Sequence, residues 1–352
     1  APAAPAPSGT AAPEKSAAER PAPAPQLTRE QQLVEAAKKE GEVVFWFHQF
    51  PDTEKAMKPF TERYPFIKVK TWDSRGTEVL ARLVEEAKAG RHSADVLILS
   101  SEIVDAHSFG LLTEYEFPNV VGWTNQPNHN FYKAVTGVAR MAAVFNTDLV
   151  PPADVPKSWD DIKSTKWAGK TFVTTSGEDT PLFWAYLWRE KDVLNWDKSF
   201  AFWGDFIRNT RPRVTSGYTG PLQRLAAGEV ALFPAAGFGP TYRLQAVGAP
   251  LGFAPVGPVT GDIGGIALLK DAPHPNAARL LIDWLTSPEG ILAYVDSTYN
   301  FALDPKLAAR ARSNALFKSL GIAYDPMPRG VITPENLKKS SDFWLKALGV
   351  RG

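Results

Sequence analysis

Short polar groups stand directly after apolar runs in this chain, and their types suit gripping an anion better than breaking a bond. His48 closes the run Glu42-Val-Val-Phe-Trp-Phe-His48, Arg75-Gly76-Thr77 follows Ile67-Lys-Val-Lys-Thr-Trp72, and Ser100-Ser101 follow Asp95-Val-Leu-Ile-Leu99. Further on, Thr175-Ser176-Gly177 follow Thr171-Phe-Val-Thr174, and Ser216-Gly217-Tyr218 precede a helix beginning near Pro221. Arginine holds a carboxylate or phosphate through two parallel bonds. Glycine lets the backbone come close, hydroxyls donate, and a helix starting just beyond such a turn offers free amides to an anion. Each residue also has a plainer reading. Arg75 could pair with Asp73 or Glu78 at the surface, where such pairs contribute little. Thr175, Ser176, Gly177, Ser100 and Ser101 could serve as ordinary helix caps. His48 could be a satisfied histidine beneath the rim, and Tyr218 could pack half-buried in its loop rather than close over a ligand.

Signs of catalysis are sparse. The chain contains no Gly-x-Ser-x-Gly and no His-Glu-x-x-His. Gly169-Lys-Thr171 ends like a phosphate loop, but Ser164 stands where that motif needs glycine. The five histidines (48, 92, 107, 129 and 274) show no ligand-like spacing, and the absence of cysteine excludes disulfides, thiolate metal sites and cysteine nucleophiles. We expect no enzyme, no cofactor and no resident metal; a hydrolase or transferase with an unrecognised site is the remote alternative.

The elements that must position these residues alternate. Between Gly41 and Ser101 the sequence reads strand, helix, strand, helix, strand, a series that implies right-handed crossovers and a parallel sheet. In such a sheet, ligands gather at the carboxyl ends of the strands, so His48, Arg75–Thr77 and Ser100–Ser101 should share one rim. After a loop at 119–130 and two short strands within 132–146, a second α/β series starts at Lys170. Further strands are expected at Glu229–Pro234, Leu251–Pro255 and Gly265–Lys270, and helices follow to Leu348. The 352 residues are enough for two cores. With 39 basic against 38 acidic side chains, a net charge of +1 leaves no stripe for nucleic acid, and no apolar run is long enough to cross a bilayer. Residues 1–26 are rich in Ala and Pro and read as a disordered tether. Because the chain begins at Ala1, a secretory signal already removed is expected. Two lobes follow from this order: 27–140 with 260–352 as lobe one, 141–259 as lobe two, joined by two segments acting as a hinge.

Several stretches together resemble a known family. They are the strand ending in His48, Arg75-Gly-Thr-Glu-Val-Leu-Ala-Arg82, Ala94-Asp-Val-Leu97, Ala143-Val-Phe-Asn-Thr147, Pro156-Lys-Ser-Trp-Asp-Asp161, Leu225-Ala-Ala-Gly-Glu-Val230 and Pro275–Gly290. In order and spacing they resemble the periplasmic solute-binding proteins of ABC importers, in the branch that includes ferric-iron binders. The resemblance implies a type II fold: two lobes, each a mostly parallel sheet flanked by helices, with a two-segment hinge. It also implies a monomer that captures a small solute in the periplasm and delivers it to a membrane permease. Ferric members typically carry adjacent tyrosines after the strand matching Val230–Pro234, whereas this chain reads Ala235-Ala-Gly-Phe-Gly-Pro-Thr-Tyr242. His48 falls where some ferric members place a histidine, but a trivalent cation needs several anionic oxygens. The expected ligand is therefore a small organic anion, such as a sugar phosphate, phosphonate or carboxylate, with ferric iron or a metal chelate as the alternative. Phe238, in the tyrosine position, either stacks on the solute or packs in the core.

Overall fold

Thr28 begins the first helix with a reciprocal cap, its hydroxyl accepting from the Gln31 amide while the Gln31 side chain accepts from the Thr28 amide. Helix α1 (Arg29–Glu40) ends at Gly41, whose φ of 68° suits glycine. The computed structural model describes residues 27–48, 53–100, 102–120, 130–139 and 141–350. The expected tether 1–26, Ser101 and most of the 119–130 loop lie outside them.

The expected alternation follows: β1 (Glu42–Phe47), α2 (Thr53–Arg63), β2 (Lys68–Asp73), α3 (Gly76–Lys88), β3 (Val96–Leu99) and α4 (Glu102–Ser108). After β4 (Leu112–Thr113), strand β5 (Tyr132–Ala139) leads to β6 (Ala142–Asn146). The second series comprises α5 (Trp159–Ile162), β7 (Phe172–Thr174), α6 (Thr180–Leu187), α7 (Trp196–Thr210), β8 (Arg213–Thr215), α8 (Thr219–Ala226), β9 (Leu232–Ala236), α9 (Phe238–Ala246) and β10 (Leu251–Phe253). The chain returns through β11 (Gly261–Leu269) and ends with α10 (Pro275–Leu285), α11 (Pro288–Thr298), β12 (Phe301–Ala302), α12 (Pro305–Ala308), α13 (Arg312–Ser319) and α14 (Pro334–Ala347).

One sheet has the order β12-β5-β11-β3-β1-β2, with β4 on the end of β11. Strands β1, β2 and β3 are mutually parallel, while β11 runs antiparallel to β3 and β5. The second sheet joins antiparallel β10-β6-β9 to parallel β7-β8 through a parallel bridge between Thr171 and Leu232. Large side chains fill the second lobe, where Trp184 lies edge-on to both Trp159 and Trp203.

The register decides which way the two sheets face. Leu99, the last residue of β3, lies opposite Gly265, and Ala139, the last of β5, lies opposite Gly261. The chain therefore leaves and re-enters the first sheet at the carboxyl edge of β1–β3. In the second sheet Ala142, where β6 begins, is opposite Ala236, where β9 ends, and β7 and β8 run parallel to β9. Their carboxyl ends thus border the same crossing. Met141, between β5 and β6, is buried with φ of 67°, a left-handed conformation that costs a non-glycine residue about 1–2 kcal/mol.

A third passage lies alongside these two. The Val259 amide donates to the Ala323 carbonyl at 2.9 Å, Asp325 N to Val259 O at 2.9 Å, and Met327 N to Gly261 O at 3.1 Å. The chain then reaches α14, which packs on α6 and α7 rather than staying with lobe one as the range 260–352 expected. Trp344 is the reason: its ring is buried edge-on to Trp203, and its indole N–H donates to the Thr174 carbonyl at 2.9 Å.

Candidate functional site

On the first rim His48 is half-buried, and its Nδ1 lies 2.9 Å from the Ser74 carbonyl. A carbonyl can only accept, so Nδ1 carries the proton and a neutral ring keeps its lone pair on Nε2. Ser74 and Arg75 follow β2. Arg75 is well exposed and bound to Glu78, through Nε at 2.9 Å and through a second, shorter contact of its Nη2. The Ser74 hydroxyl donates to the other Glu78 oxygen, and together the two donors hold the Glu78 carboxyl below its ordinary range. The plainer expectation for Arg75, a surface partner of Glu78, is thus what the structure shows.

Gly76 is buried at the first position of α3, with Thr77 exposed beside it. Arg75, the preceding residue, gives α3 no side-chain cap. Among the described residues the Gly76 and Thr77 amides have no hydrogen-bond partner. The space where a Gly76 Cβ would stand is filled by the Glu102 carboxylate, whose Oε2 would lie 2.7 Å from it. Ser100 is buried at the end of β3, and its carbonyl accepts from the Ile103 amide at 3.4 Å.

The second rim is tied to itself. Thr175 donates both its amide, at 2.8 Å, and its hydroxyl, at 3.3 Å, to the Thr215 carbonyl. The Ser176 amide donates to Thr174 Oγ1, its hydroxyl oxygen accepts from the Gly217 amide at 2.9 Å, and its carbonyl accepts from the half-buried Tyr218 hydroxyl at 3.3 Å. Gly177 is buried, and its amide reaches the Thr174 carbonyl; an added Cβ would stand 2.7 Å from Thr180 Oγ1. Thr175, Ser176, Gly177 and Tyr218 therefore converge on one loop pair, leaving the exposed Ser176 hydroxyl hydrogen free to donate outward.

Phe238 does not face a cleft. It is fully buried, its ring 4.7–5.2 Å from those of Phe253, Phe301 and Phe317, so packing replaces the stacking expectation. Tyr242, four residues on in α9, sets its ring 4.9 Å from Tyr299 at the end of α11.

Two contributors escaped the sequence reading. Glu102 was visible only as a helix start. Helix α14 braces the second rim: Ser340 Oγ accepts from Leu182 N at 3.0 Å and donates to Glu178 O at 2.7 Å, and Ser341 donates to the Glu178 carboxylate. With Trp344 on Thr174, both ends of the Thr174–Leu182 segment are pinned by a helix far away in sequence. Among the described residues, no three His, Cys, Asp or Glu side chains cluster as a metal site would need.

Two lobes, each presenting strand ends and helix starts to a shared crossing, define the class: the type II fold of periplasmic binding proteins. Residues 55–314 match the family of bacterial extracellular solute-binding proteins, and the chain belongs to that family. Three solved structures share the fold. One is a Trichodesmium protein in complex with iron and citrate (19% identity, TM-score 0.65, covering 88% of this chain and 100% of that one). Another is the periplasmic binding protein AfuA of Actinobacillus pleuropneumoniae with fructose-6-phosphate (19%, TM-score 0.66, 88% and 99%). The third is the spermidine/putrescine substrate-binding protein PotD of Streptococcus pneumoniae (15%, TM-score 0.66, 87% and 98%). An uncharacterized protein of Haemophilus influenzae is 32% identical over 143 residues, which span 39% of this chain and 39% of that protein. The family and these structural neighbours are binding proteins, not enzymes.

Proposed function

We propose that this protein is the extracytoplasmic solute-binding component of an ABC importer, which captures a small organic anion between its lobes and hands it to a membrane permease. A sugar phosphate, phosphonate or carboxylate is the intended class of solute. One observation carries the reading: the carboxyl ends of β1–β3 and of β7–β9 border the same chain crossing. The helix starts of α3, α8 and α9 stand at those ends, and helix starts favour anions. His48, Gly76, Thr77 and Ser100 would meet the solute from one side, and Ser176, Gly177 and Tyr218 from the other. The first-docking lobe holds the solute, and closure adds the second set of contacts, so the ligand selects the closed form by its differential affinity. The sugar phosphate held by the Actinobacillus protein fits this class.

A metal chelate is the second reading, favoured by His48, whose Nδ1 is turned to the Ser74 carbonyl so that Nε2 is the ring nitrogen left to meet a metal. A chelate whose own carboxylates supply most of the oxygens needs few protein donors, and the Trichodesmium protein is in complex with iron and citrate. The two readings separate in one experiment. Native mass spectrometry of the purified protein identifies co-purified solute, and calorimetry then titrates that solute and its metal-free form. Metal-independent binding of an anion supports the first reading. A neutral or cationic solute overturns it, and binding only with metal transfers the site to the second.

A further inference from the structure

We propose that the third passage between the lobes, Ile322–Met327, is a guide for the clamp: its side chains seat on both other crossings and so confine how the lobes swing. The inference rests on the two-lobe clamp but not on the class of solute.

Two glycines mark the seats. In β5, a Cβ added to Gly137 would stand 2.5 Å from the Tyr324 ring. Ahead of β11, a Cβ added to Gly257 would stand 3.2 Å from Ile322 Cγ2. Neither glycine has the positive φ that favours glycine, so each position needs the missing side chain rather than an unusual backbone. The fit at Gly137 is closed on every side. The Tyr324 ring stacks on Phe301 at 4.6 Å, and Phe301 lies opposite Gly137 in the sheet. The Tyr324 hydroxyl donates to the Asp262 carbonyl of β11 at 3.1 Å. One side chain therefore touches both strands that lead from lobe to lobe.

The same passage is fastened to lobe two. Asp325 Oδ1 lies 3.1 Å from the Tyr186 hydroxyl, and Oδ2 accepts from Arg189 Nη1 at 2.8 Å, at the end of α6. Met327 is fully buried in the core of that lobe. Hinges absorb motion in a few residues, and close-packed contacts resist deformation. Bending at Gly137 or Gly257 must then carry the passage along or pull Tyr324 and Ile322 from their seats. Because lobe two holds Asp325, the two crossings bend together, and the lobes follow one path.

The test is pulsed electron resonance without solute. The chain lacks cysteine, so spin labels at Lys88→Cys and Thr219→Cys, exposed residues of lobe one and lobe two, read the interlobe distance. Tyr324→Ala and Gly137→Ala should each widen the distance distribution, since both unseat the same ring. The double variant should be no wider than Tyr324→Ala alone. Arg189→Met loosens Asp325 without touching either crossing; it should widen the distribution too, and it keeps the test valid if a change beside β5 unfolds the chain. An unchanged width in any of the three single variants, or a double variant wider than Tyr324→Ala, overturns the proposal. The carrier reading fails separately, through a wild-type distance that bound solute leaves unchanged.

Discussion

The two rims that face the crossing are built differently. The second is satisfied by itself: Thr175 donates to Thr215, Ser176 and Gly177 donate to Thr174, Gly217 and Tyr218 donate to Ser176, and α14 holds the loop from behind. Among the described residues the first leaves the Gly76 and Thr77 amides open, an uncapped α3, and a Glu102 carboxylate oxygen without a partner. Preformed geometry on one side and unanswered groups on the other suit a clamp in which the solute completes the looser rim against the firmer one. Rigid partners lose little freedom on binding, while unsatisfied groups gain most from a ligand.

Experiments that break this contrast rank by size. Trp344→Ala should have the largest effect, removing a buried indole and its bond to Thr174. A loss of about 3–5 kcal/mol in urea unfolding is expected, with faster amide exchange over Thr174–Leu182; unchanged exchange there would show that α14 does not brace the rim. Phe238→Ala should fall in the same range of about 3–5 kcal/mol, because its ring lies inside the aromatic cluster. A small loss of stability together with weakened solute binding would instead restore Phe238 to the cleft.

Ser340→Ala removes the hydroxyl that links Leu182 N to Glu178 O, leaving an amide without its acceptor. About 1–3 kcal/mol should be lost. On the first rim, Gly76→Ala and Glu102→Ala should be non-additive, since the new Cβ collides with the Glu102 carboxylate. The double-mutant cycle should give a coupling of about 1–2 kcal/mol; additivity would mean the carboxylate is elsewhere in solution. Arg75→Ala should change stability by less than about 0.5 kcal/mol, as exposed side chains generally do.

The fold was legible wherever the code is local. The Thr28–Gln31 cap, the strand–helix alternation to Leu99 and the two passages between lobes all come from neighbouring residues or short periodicities. The two rims of the proposed site were legible as places in the fold, because polar residues follow the strand ends, the edge where such sheets gather ligands. What escaped depends on distant partners. Nothing near Phe238 announces Phe301 and Phe317, which close over its ring. An amphipathic C-terminal helix carries no local sign of which lobe it will cover, and the Trp203–Trp344 contact decides it. Glu102 reads as an ordinary acidic first-turn residue until Gly76 is seen to leave room for it.

Since the chain lacks cysteine, two introduced thiols would be its only sites for spin labels. Labels at Lys88→Cys and Thr219→Cys, exposed residues at the end of α3 and the start of α8, would report the separation of the two lobes by pulsed electron resonance. The account expects one broad distance distribution without solute, and a shorter, narrower one when the solute identified by mass spectrometry is added. A distribution that stays the same with that solute bound would contradict the clamp.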